Sequence, residues 1–307
     1  MKTSLIIAVK NEAPTIGLCL ESVFSQELQG ELEVVVIDSG STDGTLDIVK
    51  KFDVRLMEIP AREFQHARTR NHGASITTGE ILVFLSADAV PISSSWLSNL
   101  TAPLRGNDGI AASYGRQVPR DNASYNTKRA LAKIYPDEPL VKRIEDLPRL
   151  GLRTYHFSNA NSAYLKSVWE QVRFAENLIV CEDVDTARSI LEKGYAIAYV
   201  PGAAVRHSHN YGLQRTLKRY FDIGVSYQRM GLFRGGDVGR GIVESGLKHA
   251  AAEAKGALRE GGIGTFFTST ALNAVKYLGL SLGRVERAIP KPIKKKLSLY
   301  SNFWDLE

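Results

Sequence analysis

The chain is short of cysteine, of uninterrupted apolar runs and of repeated sequence. Cys19 and Cys181 are its two cysteines. They are too few and too far apart for a disulfide framework or a zinc site, which points to a reducing, cytoplasmic setting. The opening "MKTSLIIAVKNEAPT" has a lysine and an apolar stretch in the manner of a secretion signal, but Lys10-Asn11-Glu12 end it short of a signal core. It reads as a first strand instead. Nearer the carboxyl end, "GTFFTSTALNAVKYLGLSLG" is apolar, yet Lys276 interrupts it and Ser, Thr and Gly are frequent. That makes a poor spanning helix and a fair interfacial one. No internal repeat and no low-complexity tract occurs.

A strong charge of one sign is also missing. There are 39 basic and 33 acidic residues, a net charge of +6, which permits anionic ligands, lipid or nucleic acid and selects none of them. A nucleic-acid face needs basic residues interleaved with aromatics, and only the short "LKRYFDIGVSYQR" suggests one, so no nucleic-acid partner is expected. The excess is concentrated in "RVERAIPKPIKKK" (284–296), where six basic residues accompany one acid.

What is present is an ordinary globular composition, 44% hydrophobic and 23% charged over 307 residues. One large domain with an appendage fits this length. The expected division is a domain over 1–235 and a helical, basic extension over 236–307. The extension would serve acceptor or membrane association, or contact with a second copy.

The amino-terminal half alternates strands and helices. "TSLIIAV", "LEVVVID", "VRLMEIP" and "EILVFLSAD" read as strands; helices are expected from Thr15, over "TLDIVKKF" and over "ARTRNHGASITTG". Continuous Val/Ile/Leu strands alternating with helices predict an α/β fold, a mostly parallel sheet covered on both faces. In such sheets ligands sit outside the carboxyl ends of the strands. The residues delivered there are Lys10-Asn11-Glu12, Asp38-Ser39 and Ser86-Ala87-Asp88. Further on, "VPRDNASYNTKRALAKIYPDEP" reads as a loop-and-helix excursion, and "YAIAYVPGAAVRHSHNY" as a strand ending in two histidines.

Each candidate has a plainer reading beside it. In "VIDSGSTDGT", Thr42 or Asp43 can simply cap the next helix, and Asp43 is assigned mainly to that. Asp38, at the strand tip, is placed to accept from a base N–H or a ribose hydroxyl. Arg68 and Arg70 near a helix start oppose its dipole, which suits a nearby anion or an aromatic base, although solvated arginines are common. Asp88 can cap the next segment, but with Asp38 and Glu12 at neighbouring strand ends it points to a divalent metal held against a diphosphate. "CEDVD" packs three acids at a helix mouth. Glu182 and Asp183 are candidate general bases, and Asp185 reads as a solvated first-turn acid. His207 and His209 can ligate a metal, though a satisfied histidine is commoner. Asn159 and Asn161 in "FSNANSA" can orient sugar hydroxyls and are equally good caps.

The ordered set "LIIAVKNEA", "VVVIDSGSTDGT", "RTRNHGASITTGEILVFLSADA" and "CEDVD" resembles the family-2 inverting glycosyltransferases of the GT-A fold, over about residues 3–210. The variants "FLSADA" and "HSHNYGLQRTLKRYFDIG" look most like the bacterial branch that transfers rhamnose from dTDP-L-rhamnose. The resemblance implies a Rossmann-like sheet with Ala8, Lys10, Glu12, Asp38 and Arg70 on the nucleotide side. It implies Ser86-Ala87-Asp88 in the position of an Asp-x-Asp motif, with Asp88 as the acid that meets Mg²⁺ or Mn²⁺. It makes Asp183 the general base, and His207 or His209 a further metal or diphosphate contact. Transfer of one sugar to a glycan or lipid-linked saccharide acceptor is implied, at an anionic membrane face if the basic end attaches there, with a homo-oligomer left open.

Two departures matter. Serine replaces the first acid of Asp-x-Asp, and the Gln-x-x-Arg-Trp motif of processive synthases is absent, "LQRTLKRYF" having no tryptophan. A metal on a diphosphate takes most ligands from phosphate and water, so one carboxylate can suffice. The missing Trp motif favours single additions over polymerisation. Competing readings are the same fold with a UDP-hexose donor, a nucleotidyltransferase, or a non-catalytic sugar-nucleotide-binding module. The second is disfavoured because "KNEAPT" stands where a Gly-rich phosphate loop would be.

Overall fold

The computed structural model describes residues 1–28, 30–106, 108–233 and 236–307, with side chains omitted for 236–249. The first strands fall where the apolar runs are: β1 is Thr3–Val9, β2 Leu32–Asp38, β3 Arg55–Glu58 and β4 Ile81–Leu85. Between them lie α1 (Ile16–Phe24), α2 (Thr45–Val49) and α3 (His66–Ile76). Next along the chain are β5 (Val90–Pro91), α4 (Trp96–Thr101), β6 (Ile110–Val118), α5 (Tyr125–Ile134), β7 (Leu140–Lys142) and α6 (Leu147–Leu150). Beyond these come β8 (Asn161–Leu165), α7 (Lys166–Val172), α8 (Glu182–Glu192), β9 (Ala196–Arg206), α9 (Leu213–Arg229) and α10 (Gly236–Arg284). The chain ends in α11 (Lys291–Leu297) and α12 (Phe303–Leu306).

All strands join one sheet in the order β3-β2-β1-β4-β8-β6-β9-β5, with β7 also on β9. The four amino-terminal strands are parallel, whereas β8 runs antiparallel to both β4 and β6. The sheet is therefore mixed, with a parallel half where βαβ crossovers build it. Alternation sorts its side chains to two faces. Leu5, Ile7, Val9, Val34, Val36, Val83 and Leu85 pack with α1 and α4. Ile6, Val35, Ile37, Leu82 and Phe84 pack with α3 and the aromatic residues Tyr114, Phe157 and Tyr164.

The chain forms two compact units. The first comprises residues 1–121, 131–175 and 183–208 and contains the sheet. The second, residues 122–130, 176–182 and 209–307, is helical. Its core is Ile179, Val180, Phe221, Val225, Phe303 and Trp304. Within α10 the helix is broken at Gly262, whose φ of 77° lies in the left-handed region that glycine adopts without strain. No helix among the described residues is long and apolar enough to cross a membrane.

Candidate active site

Two loops at the parallel half are laced together by short polar side chains. Asn11, itself at φ 52°, donates its N–H to Ser41 Oγ (2.8 Å) and accepts from the Thr42 N–H (2.8 Å). Asp43 accepts from the Thr45 hydroxyl (2.6 Å) and the Ala13 N–H (3.1 Å), but the N-cap of α2 is Gly44 at φ 88° and not Thr42 or Asp43, because the turn needs a left-handed residue just before the helix. Asp38 braces the same turn by accepting from the Gly40 and Ser41 N–H groups at 2.8 and 2.9 Å. Its other oxygen, Oδ1, is buried and meets no donor among the described residues. A buried acceptor without a donor costs on the order of 1–3 kcal/mol, which a ligand N–H or O–H would relieve. Ala8 is half-buried on β1, Lys10 is exposed, and Arg70 is half-buried one helical turn from His66, its Nη1 3.5 Å from the imidazole.

The second group forms where three strand ends meet. β5 pairs antiparallel with β9 (Val90 opposite Arg206), and β6 pairs parallel with β9 (Val118 opposite Arg206). The residues just before β5 and just after β6 and β9 must therefore converge. These are Asp88, Arg120 and His207. Ser86 and Ala87 form the turn that carries Asp88, held by the Ser86 N–H on the Ala160 carbonyl and the Ala89 N–H on the Ser86 carbonyl. Asp88 Oδ1 lies 3.3 Å from His207 Nε2, each side chain 11% exposed. Two ligands adjacent on one ion at ~2.1 Å stand about 3 Å apart, so the pair fits a shared cation.

His207 is oriented from behind. Its Nδ1 is 2.8 Å from Gln117 Oε1. The Gln117 amide N–H₂ donates to the Tyr135 hydroxyl (2.6 Å) and Ser158 Oγ (2.9 Å), which turns the amide oxygen toward the imidazole. Nδ1 is then placed to donate to the amide oxygen, which leaves Nε2 facing Asp88. This is the carbonyl–histidine arrangement that prepares a metal ligand. A carboxylate and an imidazole nitrogen suit a divalent cation whose remaining ligands would come from phosphate and water. Glu12 stands close by, its carboxyl raised above the usual range first by burial and then by the charge of Asp88.

The acids of "CEDVD" diverge. Asp183 Oδ2 accepts from the Asn159 N–H at 3.2 Å and Oδ1 from the Val184 N–H at 2.9 Å, fixing the carboxylate at the mouth of α8. It is half-buried in the first unit. Burial pushes the Tyr135 phenol upward, with Ser158 pulling it back and the charge of Asp183 adding to the rise. Glu182 is 4% exposed and belongs to the second unit, where its charge is felt by Tyr300. Asp185 is half-buried, not solvated, and burial raises its carboxyl. Asn161 is fully buried, its amide committed to Trp96 Nε1 (2.9 Å) and the Ala203 carbonyl (2.7 Å). Asn159 accepts from Tyr164 and Ser162, and its amide nitrogen is buried without an acceptor among the described residues. His209 opens the second unit, stacked on Tyr211 with ring centroids 5.2 Å apart.

Sequence reasoning passed over Gln117 and Arg120. Both lie in "RQVPRD", a stretch with no motif. The one available signal was a strand ending in polar residues opposite another strand ending in histidine, and that needs the β6–β9 pairing to be seen.

Acids and an imidazole gathered at the carboxyl ends of the strands of a mixed α/β sheet lie where such sheets bind their ligands. Residues 4–173 match the model of glycosyl transferase family 2. The chain is 31% identical over 99% of its length to the O-antigen chain rhamnosyltransferase RfbN of Salmonella typhimurium, covering 96% of that protein. It is 32% identical to the O-antigen chain rhamnosyltransferase WbaN of Salmonella anatum, over 92% of this chain and 89% of that protein. Among solved structures, the mannosyltransferase PcManGT from Pyrobaculum calidifontis, in complex with GDP-Man and Mn²⁺, matches with a TM-score of 0.64 and 20% identity. That match covers 93% of this chain and 87% of PcManGT. The chain belongs to glycosyl transferase family 2, has the GT-A fold and is a glycosyltransferase.

Proposed function

We propose that the chain is an inverting transferase that moves one L-rhamnose from dTDP-L-rhamnose to a hydroxyl of a glycan or lipid-linked saccharide in cell-surface polysaccharide synthesis. The observation that carries the sugar assignment is similarity to two O-antigen rhamnosyltransferases over nearly the whole length of all three chains. Asp88 and His207 are the proposed metal ligands, with His209, two residues along, as the third. The unpartnered Asp38 oxygen, Glu12, Lys10, Ala8 and Arg70 are assigned to the nucleotide side.

In the proposed reaction Asp183, held by two backbone N–H groups, takes the proton of the acceptor hydroxyl as that oxygen attacks the anomeric carbon. A single displacement inverts that carbon. A bound Mn²⁺ or Mg²⁺ supplies charge compensation for the departing nucleoside diphosphate. Asn159, whose N–H meets Asp183, keeps an amide nitrogen available for a sugar oxygen. Asn161 and Glu182 are proposed to be structural. The basic segment 284–296 and the exposed Ile263, Phe267 and Leu278 support a peripheral position at an anionic membrane face on the cytoplasmic side.

The test is release of nucleoside diphosphate from a panel of sugar nucleotides with and without Mn²⁺ or Mg²⁺, comparing wild type with Asp88→Ala. Turnover of dTDP-rhamnose that is lost with chelator and with the substitution is expected. Preference for a UDP-hexose would replace the donor assignment, and metal-independent release untouched by Asp88→Ala would remove the metal assignment.

A further inference from the structure

Arg120 lies just beyond β6 and is tied to both segments that supply the Asp88–His207 pair. Its guanidinium is 3.2 Å from Asp88 Oδ2 and donates to the Asp88 carbonyl at 2.5 Å. Its own N–H donates to Ser208 Oγ at 3.0 Å, next to His207. The guanidinium is the more open partner, its side chain 30% exposed against 11% for Asp88.

This geometry sets up a conflict that a static brace does not explain. The carboxylate oxygen beside Arg120 and the one beside His207 belong to one group, so a divalent ion on Asp88 arrives within a few ångströms of a fixed positive charge. At that range like charges repel appreciably even at an effective dielectric of about 20. The repulsion is removed if the arginine acquires an anion of its own. A diphosphate bridging to the ion supplies one, and its oxygens match the planar fork of guanidinium donors better than a single carboxylate oxygen does.

We propose that Arg120 is a positioning residue that exchanges partners: it pairs with Asp88 when the carboxylate holds no ion, and turns to the donor's diphosphate when a divalent ion takes Asp88. This rests on the assignment of Asp88 as a metal ligand. Ion and diphosphate then bind with positive coupling, and Arg120 carries most of it. Because coupling is reciprocal, each ligand strengthens the other by the same factor.

Titration calorimetry of the full chain tests this with Mn²⁺ alone, dTDP alone, and each at saturation of the other. Wild type should gain about tenfold or more in Mn²⁺ affinity when dTDP is present, and the same factor in reverse. Arg120→Gln should bind Mn²⁺ alone several-fold more tightly, bind dTDP at saturating Mn²⁺ about tenfold more weakly, and lose most of the coupling. Arg120→Lys keeps the charge without the fork, so Mn²⁺ alone should bind as in wild type while dTDP affinity still falls; it also serves if the glutamine variant does not fold. Weaker Mn²⁺ binding in Arg120→Gln would make the residue a structural brace and overturn the exchange, as would unchanged coupling. Mn²⁺ binding that is absent from wild type, or that survives Asp88→Asn, would overturn the metal assignment itself and this inference with it.

Discussion

In the first unit, Val, Ile and Leu side chains alternate to two faces of one sheet and are covered by helices; in the second, glycines bring two helix backbones into contact. A Cβ on Gly224 would lie 2.6 Å from the Leu280 carbonyl oxygen, one on Gly279 2.6 Å from that of Leu217, and one on Gly283 would meet that of Phe221. Helices α9 and α10 therefore cross on glycine, and among the described residues six buried apolar side chains form the core cluster of this unit. The sheet unit has two extensive clusters instead. A sheet buries apolar area through many side chains and spreads the loss from any one of them. A glycine crossing concentrates sensitivity at a few positions, where an added methyl group separates the helices. The chemistry is built on the first kind of scaffold, in keeping with the need to fix reacting groups within fractions of an ångström.

The largest expected effect separates Asp183 from Glu182, neighbours in sequence that belong to different units. Asp183→Asn should lower turnover about 10³-fold with the fold intact by circular dichroism, because only the proposed proton acceptor is lost. Glu182→Gln should leave turnover within about threefold and lower thermal stability instead. Similar rate losses in both variants would erase the distinction drawn between them.

Next come the close backbone approaches. Gly115→Ala places a methyl group against the Ala203 carbonyl and the Asn161 amide inside the sheet, and Gly283→Leu wedges the helix crossing. Each should cost about 3 kcal/mol or more in chemical denaturation. Hydrogen exchange would sharpen the contrast: protection should fall first around β6–β9 in one variant and along α9 in the other.

A smaller loss is expected for Asn161→Ala, about 2–3 kcal/mol, since the Trp96 indole N–H and the Ala203 carbonyl lose their partner in the core. If donor affinity fell while stability stayed constant, the residue would belong to the binding site after all.

The smallest effects come from two buried charges of opposite sign. Burial lifts the Asp222 carboxyl in the second unit to about 7. The native state then holds a proton that the unfolded chain releases near pH 4, so this contribution falls as pH rises from about 4 to 7 and is constant above. Burial, with Arg153 adding to it, lowers Lys142 in the first unit to about 7, where it lies over the Tyr114 ring. The unfolded chain holds that proton to about pH 10.5, so this contribution is full at high pH and lost as pH falls through about 7. Asp222→Asn should stabilise at pH 8 and Lys142→Met at pH 6, each on the order of 1–2 kcal/mol, read from denaturation midpoints across pH. A matching slope in both variants would contradict the opposite signs.

The apolar runs located β1 and β2 to the residue, and the carboxyl-end rule brought Glu12, Asp38 and Asp88 to one edge. What the amino-acid order determined by itself was local: strand against helix from the period of apolar residues, and acids at strand tips. It also carried the family pattern. Whether Asn161 was a ligand or a core residue, and whether Glu182 or Asp183 belonged to the first unit, could not be read locally. Both questions turn on what lies opposite, and adjacent helical residues differ by about 100° in direction. Only the tertiary structure decided the antiparallel entry of β8 and the meeting of the β5, β6 and β9 ends. Only there do Asp88, Gln117, Arg120 and His207, remote along the chain, become neighbours, because strand pairing joins segments by hydrogen-bond register and not by sequence distance.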